Sequence, residues 1–350
     1  MAFPSAAGYT NLPNGNFSPV IYSRKVQKAF RRSSVVEDIT NTDYSGDIAN
    51  FGDSVRIIKE PDITINEYKR GTTNQTQDLQ DVDFTMVVDQ ANYFQFSMDD
   101  IEEAHSHVNF MDLATDKAGF KLRDKFDAEV LGYLTGWQLV GGVWVRRTAP
   151  NGTKSDTNAG VDELLAAHKL NITNFGGTDL GVAGEVTSIP VAPNGGSGAV
   201  TSPLAILNRF GRLLDQQNVD TEGRWVVVDP VFVEMLMDAD SKLVDADFGG
   251  GEEIRNGMLP KKIRGFRVYK SNSLPYVGTG AGTSAGAGSE TNFGTLVAGH
   301  DGAVSTAQQI AKTEKFRSPD KFADIVRGMQ LYGRKILRSE ALLTANYNIA

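Results

Sequence analysis

The longest pattern in the chain runs from Asp99 to about Leu134 and reads as a single helix. Ile101, Ala104, Val108, Met111, Ala118, Leu122 and Phe126 recur at spacings of three and four, with Thr115 filling the one gap. Asp99, with Glu102 three residues on, makes a capping-box-like start, and Gly119 is the only weak point. At 1.5 Å per residue such a helix is a rod of roughly 54 Å. A rod of that length is long for a compact enzyme domain and natural for a structural spine.

What precedes the rod cannot support itself. Residues 52–98 read as extended β structure: Val55 and Ile57 alternate with Ser54 and Arg56, and Ile63 and Ile65 alternate with polar residues. Val82, Phe84, Met86 and Val88 then share one face, and Phe94, Phe96 and Met98 continue the period of two. A polar tip from Lys69 to Gln77 joins the two sides, so the layout is a long two-stranded arm. Isolated two-stranded hairpins are marginal in water, and the arm is expected to lie across another copy of the protein. Residues 1–22 are rich in Gly, Pro, Asn and Ser and form no packed unit alone. A short basic helix follows from Ser23 to about Arg32, with Val26, Ala29 and Phe30 on one side.

Charge is divided along the same lines. Residues 1–36 hold Arg24, Lys25, Lys28, Arg31 and Arg32 and no acid, so they carry +5 of a chain whose net charge is −8; the remainder carries −13. A basic arm on an acidic body fits contact with nucleic acid, an acidic assembly factor or a neighbouring acidic subunit; a solvated helix face is the plainer reading. The chain has no cysteine, which excludes disulfides, thiol nucleophiles and Cys-based zinc sites together. No signal-peptide pattern and no run of 18 apolar residues occurs, so a soluble protein that stays where it is made is expected.

Beyond the rod, residues 138–200 carry glycine pairs at 141–142, 176–177 and 195–196 and read as an elaborated surface, with a short helix near Asp162–His168. An α/β segment follows. Pro203 after Ser202 starts a helix with Leu204, Leu207, Phe210 and Leu214 on its apolar face. Trp225-Val226-Val227-Val228 is a buried strand, Asp229-Pro230 caps a helix to about Leu243, and Ile263–Lys270 is a strand. Residues 293–350 read as strands, including Ala323–Ile336.

The motifs that could carry chemistry do not assemble into a site. Gly280, Gly282 and Ala285 make a G-x-G-x-x-A pattern, but the loop leads into a strand at Phe293, where a dinucleotide site needs a helix. A flexible linker fits it better than a nucleotide-dependent α/β enzyme. His105 and His107 diverge by about 200° on a helix and cannot grip one metal; His168 and His300 are isolated. The acidic pairs Asp99-Asp100 and Glu102-Glu103 fit helix N-terminal charge compensation, and Glu252-Glu253 reads as a solvated turn. Lys261, Lys262, Arg264, Arg267 and Lys270 crowd one strand without the aromatic platform of a single-strand binder. Pairing with an acidic surface on another subunit is the preferred reading of these bases. No catalytic residue, metal or cofactor is assigned.

In this order, several stretches resemble the major capsid proteins of tailed bacteriophages, of the HK97-fold family. They are GDSVRI at 52–57, the run from Tyr93 to Ile101, WVVVDP at 225–230, NGMLPKKIRGFRVYKSNSLP at 256–275 and LYGRKILRSEAL at 331–342. Together they span most of the chain except 138–200. Where family members often carry proline before the glutamate near the end, this chain has Ser339.

The resemblance implies an α+β, HK97-like capsid fold. Residues 1–42 would be the N-terminal arm, 43–98 the extended E-loop and its return into the peripheral (P) domain, and 99–136 the spine helix. Residues 137–200 would elaborate the axial (A) domain surface, 201–292 would form the A domain, and 293–350 would return to the P domain. It also implies a shell subunit making hexamers and pentamers with itself. Scaffolding, portal and decoration proteins would be partners, with DNA on the inner face, in a virion assembled in the host bacterial cytoplasm. Arg24, Lys25, Lys28, Arg31 and Arg32 would face inward to DNA or scaffold. Lys69, Arg70 and Asn74 would make intersubunit contacts at the arm tip; some shells of this type are closed by Lys–Asn isopeptide bonds. An encapsulin-like compartment shares the fold and is the nearest alternative.

Overall fold

Trp225, Val226, Val227 and Val228 are all fully buried, as a continuous apolar run requires of a strand covered on both faces. They belong to the centre of the larger of two main sheets. The computed structural model describes residues 34–43, 54–59, 63–71, 73, 76–78, 82–100, 110–146, 164–177, 188–196, 200–238, 261–277 and 293–349. Within these the helices are α1 (Val36–Ile39), α2 (Phe110–Thr135), α3 (Pro203–Gln216) and α4 (Pro230–Met237). The strands begin with β1 (Ser54–Lys59), β2 (Val82–Val87), β3 (Gln90–Asp99), β4 (Trp137–Val140) and β5 (Val143–Arg146). They continue with β6 (Lys169–Leu170), β7 (Ile189–Val191), β8 (Arg224–Val228), β9 (Lys262–Ile263) and β10 (Phe266–Lys270). The last five are β11 (Tyr276–Val277), β12 (Phe293–His300), β13 (Val304–Arg317), β14 (Ala323–Ile336) and β15 (Leu342–Ile349).

The larger sheet has the order β6-β15-β12-β8-β10-β9, with β11 added to β12 and β7 to β15. Alternation decides its two faces. Val226 and Val228, with Leu296, Ala298, Leu343 and Ala345, pack under Leu207, Phe210 and Leu214 of α3 and Phe232 and Leu236 of α4. Each fully buried side chain of this size is worth about 1.5–3 kcal/mol against exposure. Trp225, Val227, Val297 and Leu342 face the other way. They meet Phe126, Val130, Leu131 and Leu134 of α2, Val36 and Ile39 of α1, and Tyr332 and Ile336 of β14.

The second sheet is β13-β14-β3, with β14 in the middle. Helix α2 lies on one face of it. The rings of Phe126 and Tyr332 meet edge to face at 4.8 Å. Asn92 donates to the Glu129 carboxylate at 2.8 Å, Tyr332 donates to it as well, and Arg334 donates to the Glu129 carbonyl at 2.8 Å. Burial and the adjacent Glu129 carboxylate push the Tyr332 phenol well up. The chain before α1 is tied to the same helix: Ser34 and the Val35 amide both donate to the buried Asp127 carboxylate, at 2.8 and 3.0 Å.

Several expectations are corrected. The strands of residues 293–350 divide between two sheets: β13 pairs with β14 and β14 with β3, whereas β12 pairs with β15 and β8, and β15 with β6 and β7. Strand alternation cannot distinguish them, because partners are chosen by long-range packing. Ile263–Lys270 is not one strand but a hairpin, because Arg264 and Gly265 both take positive φ, 52° and 88°. Residues 63–69 belong to no strand, and of the helix expected near Asp162–His168 the described residues show one 3₁₀ turn at Ala166–His168. The long helix is described from Phe110; residues 101–109, with His105 and His107, lie outside the described residues, as do Glu252, Glu253 and the glycine loop at 278–289.

Close approach requires glycine at positions 294 and 333. A Cβ at Gly294 would stand 2.6 Å from the ring of Tyr347, its cross-strand partner. That ring lies over the bare backbone, and its hydroxyl donates to Asp229 Oδ1 at 2.6 Å. Asp229 in turn caps α4 by accepting from the Phe232 amide at 3.3 Å. A Cβ at Gly333 would stand 2.6 Å from the Val87 carbonyl oxygen, where the end of β2 crosses β14. Met86 beside it is fully buried against Ala307.

Burial raises the Asp229 carboxyl above its ordinary 3.8, outweighing the hydrogen bonds that favour the charged form. The folded state therefore holds this proton more tightly than the unfolded state. The contribution is fully present below 3.8 and is lost as pH rises through the folded-state value. In urea denaturation the stability of the wild type relative to Asp229→Asn should decline as pH rises above 3.8; a flat difference would contradict this account. Gly333→Ala should lift β2 from β14, so that amide exchange rises at 84–88 while β8 and β12 keep their protection.

Candidate assembly surface

The arm leaves the body at the Gly333 crossing. Strands β1 and β2 pair antiparallel from Ser54↔Val87 to Lys59↔Val82. Beyond them the two sides are tied where the Thr64 amide donates to the Gln77 side chain at 2.9 Å. Ile58, Ile63, Ile65 and Tyr68 project from it into solvent, Ile65 at 94% exposure. A few such residues scattered singly would mean little, but four on one thin arm make apolar surface that the described residues of the chain do not cover.

The arm's root shares a face of the β13-β14-β3 sheet with a second exposed strip. Tyr93 stands opposite Met329 in the pairing of β3 with β14, and Tyr93 is 79% exposed. Beside them Arg327 donates to Glu314 at 2.8 Å and lies 4.9 Å over the Phe316 ring. Hydrogen bonds from Lys312 and Arg327 push the exposed Glu314 carboxyl down to about 2. Phe322, 81% exposed, forms a knob on the turn between β13 and β14.

A second set of charges lies at the end of β3. Arg317 binds both Asp100 and Asp324, and Lys315 reaches Asp324 at 2.9 Å. The hydrogen bond to Asp100 raises the Arg317 guanidinium, and Lys315 lowers the Asp324 carboxyl. These are exposed pairs, each worth little for stability; they orient the β13-β14 turn against the end of β3.

Of the residues singled out in the sequence, Lys69 and Arg70 lie exposed at the arm tip, where Gly71 turns the chain at φ +94°. Asn74 and the bases Arg24, Lys25, Lys28, Arg31 and Arg32 lie outside the described residues. His168 is buried with Nδ1 3.0 Å from the Leu342 carbonyl, and His300 Nδ1 accepts from the Gly302 amide at 3.2 Å. Among the described residues no three His, Asp or Glu side chains group to hold a metal, and no described helix is long and apolar enough to cross a membrane. Tyr93 and Met329 were missed. The signal was present at Tyr93, an aromatic residue on the polar side of a strand whose other side is Phe94, Phe96 and Met98.

No family model matches the chain, and no curated protein matches it in sequence. Solved structures do match over nearly its full length. A chain of Mycobacterium phage Che8 is 22% identical with a TM-score of 0.65, covering 94% of this chain and 97% of that one. The capsid structure of the cyanophage P-SCSP1u gives 16% identity and a TM-score of 0.64 over 96% and 94%. The capsid of Ralstonia phage GP4 gives 14% and 0.62 over 100% and 99%. The chain has the α+β, HK97-like fold found in phage capsids.

Tyr93→Ser should change the stability of the isolated subunit by no more than about 0.5 kcal/mol, since the ring touches little of its own chain. It should reduce self-association measured by sedimentation. A large loss of stability would show that Tyr93 belongs to the subunit's own core.

Proposed function

We propose that this protein is the major capsid protein of a tailed bacteriophage, a structural subunit that assembles into an icosahedral head shell around double-stranded DNA. The observation that carries this reading is a capsid fold over nearly the whole chain joined to an arm whose apolar residues have no cover of their own. Each arm lies on a neighbouring copy, with Ile63, Ile65 and Tyr68 against the face that carries Tyr93 and Met329. Apolar burial at about 25 cal/mol per Å² supplies the driving force, repeated at every contact in the ring and again between rings. Symmetry selects which patches meet. The role is structural, and no residue is assigned to catalysis.

In this reading α2 with the β13-β14-β3 sheet is the peripheral domain, and the larger sheet with α3 and α4 is the axial domain at the centres of hexamers and pentamers. Lys69, Arg70 and Asn74 make contacts between subunits at the arm tip. Arg24, Lys25, Lys28, Arg31 and Arg32 face inward, toward DNA or a scaffolding protein. Portal, scaffolding and decoration proteins are the further partners, and the subunit ends in the virion after assembly in the cytoplasm of a host bacterium.

Electron microscopy of the purified protein tests the reading. Shells or rings of repeated subunits are expected, and Ile63→Ser with Ile65→Ser should abolish them without altering the melting of the subunit. A uniform population of small compact particles would contradict it.

A further inference from the structure

One end of the larger sheet carries two patches of opposite charge. The β9-β10 hairpin presents Lys261, Lys262 and Arg264, all exposed and in none of the described ion pairs. Its turn has Arg264 and Gly265 both at positive φ, and the Val268 amide donates to the Lys261 carbonyl at 3.0 Å. At the same end, the loop between α3 and β8 presents Asp220 and Glu222, likewise exposed and outside the described ion pairs. This loop is also held. The Arg224 guanidinium, 6% exposed, donates to the Asp220 and Val219 carbonyls at 2.7 and 2.6 Å and pairs with Asp215.

The topology sets the two patches side by side. Strand β8 pairs parallel with β10, and β9 flanks β10 at the sheet edge. The basic hairpin therefore projects from the edge, and the acidic loop lies about one to two strand spacings inward, roughly 5–10 Å, at the same level. Arg267 stands between them with its charge already engaged, bound to Asp301 and directed at the Gly223 carbonyl.

We propose that the Lys261–Arg264 hairpin of one copy docks on the Asp220–Glu222 loop of the next copy in a ring. The body of the chain carries −13 outside its first 36 residues, so copies repel one another except where opposite patches meet. A positive knob at the edge and a negative one further in, at one level, suit the head-to-tail contact from which closed rings are built. A nucleic acid would engage the hairpin but leaves the fixed acidic loop beside it without a role. The proposal rests on the shell reading and adds to it a site that sets which faces of neighbouring copies meet.

A charge-swap experiment on the full chain tests it, with ring yield read by sedimentation and electron microscopy and folding by thermal melting. Lys261→Glu with Lys262→Glu should lower ring yield at least about tenfold, because like charges then face each other across the contact. Asp220→Lys with Glu222→Lys should do the same, both at an unchanged melting temperature. Mixing the two proteins should restore rings in which they alternate. Alternation closes for six copies and cannot close for five, so hexamers should return without pentamers. If the wild type forms rings and the hairpin variant forms them equally well, the proposal is overturned while the shell reading stands. The same holds if the hairpin variant loses only DNA binding, or if the mixture restores nothing. Wild-type protein that stays monomeric overturns both.

Discussion

Both sheets of this protein depend on the C-terminal half of α2. Phe126, Val130, Leu131 and Leu134 form one apolar ridge, and that ridge closes against Trp225, Val227, Val297 and Leu342 of the larger sheet and against Tyr332 and Ile336 of the smaller. Without it the larger sheet would lose most of the cover on the face opposite α3 and α4, and the smaller would lose its dry face. The same helix holds the chain's first described segment, through Asp127 with Ser34 and Val35 and through Arg123 with Glu37. Glu129 adds the polar seam to β3 and β14, half-buried and hydrogen-bonded so that its desolvation is compensated. A single rod thus fixes the relative placement of elements that are far apart in sequence.

What the rod does not cover defines what the subunit is for. The outward face of the β13-β14-β3 sheet, the arm and the hairpin end of the larger sheet are each ordered by their own local contacts. Each nonetheless leaves large side chains exposed. Met86 over Ala307, with Gly333 bare beneath Val87, lets the arm cross the sheet closely and sets its direction. Ile63, Ile65 and Tyr68 lie past that crossing, beyond reach of the subunit's own core. On the proposed reading such a fold is completed by more copies of itself, and there the capsid likeness and the exposed apolar residues agree.

Much of this was legible in the sequence, and the exceptions have physical causes. The period of three and four marked α2, the unbroken run Trp225–Val228 marked the central strand, and Asp229-Pro230 marked the cap of α4, because each is a local pattern with a local cause. The division of the final strands between two sheets was not legible. Phe293–His300 and Val304–Arg317 look alike as strings, and only the bend at Asp301–Ala303 sends them to different partners. The hairpin at Arg264-Gly265 was hidden because a positive φ at arginine is uncommon. Of the surface, the arm's apolar residues could be read. Tyr93 and Met329 could not be paired before β3 and β14 were known to be neighbours.

The central claim is that the arm's apolar strip is covered by a second copy. Hydrogen exchange measured on dissociated subunits and on assembled particles tests it most directly. Cover by a neighbour predicts fast exchange at residues 63–69 in the subunit and strong protection on assembly, with β8 and β12 protected in both. Equal, fast exchange at 63–69 in both states would contradict it.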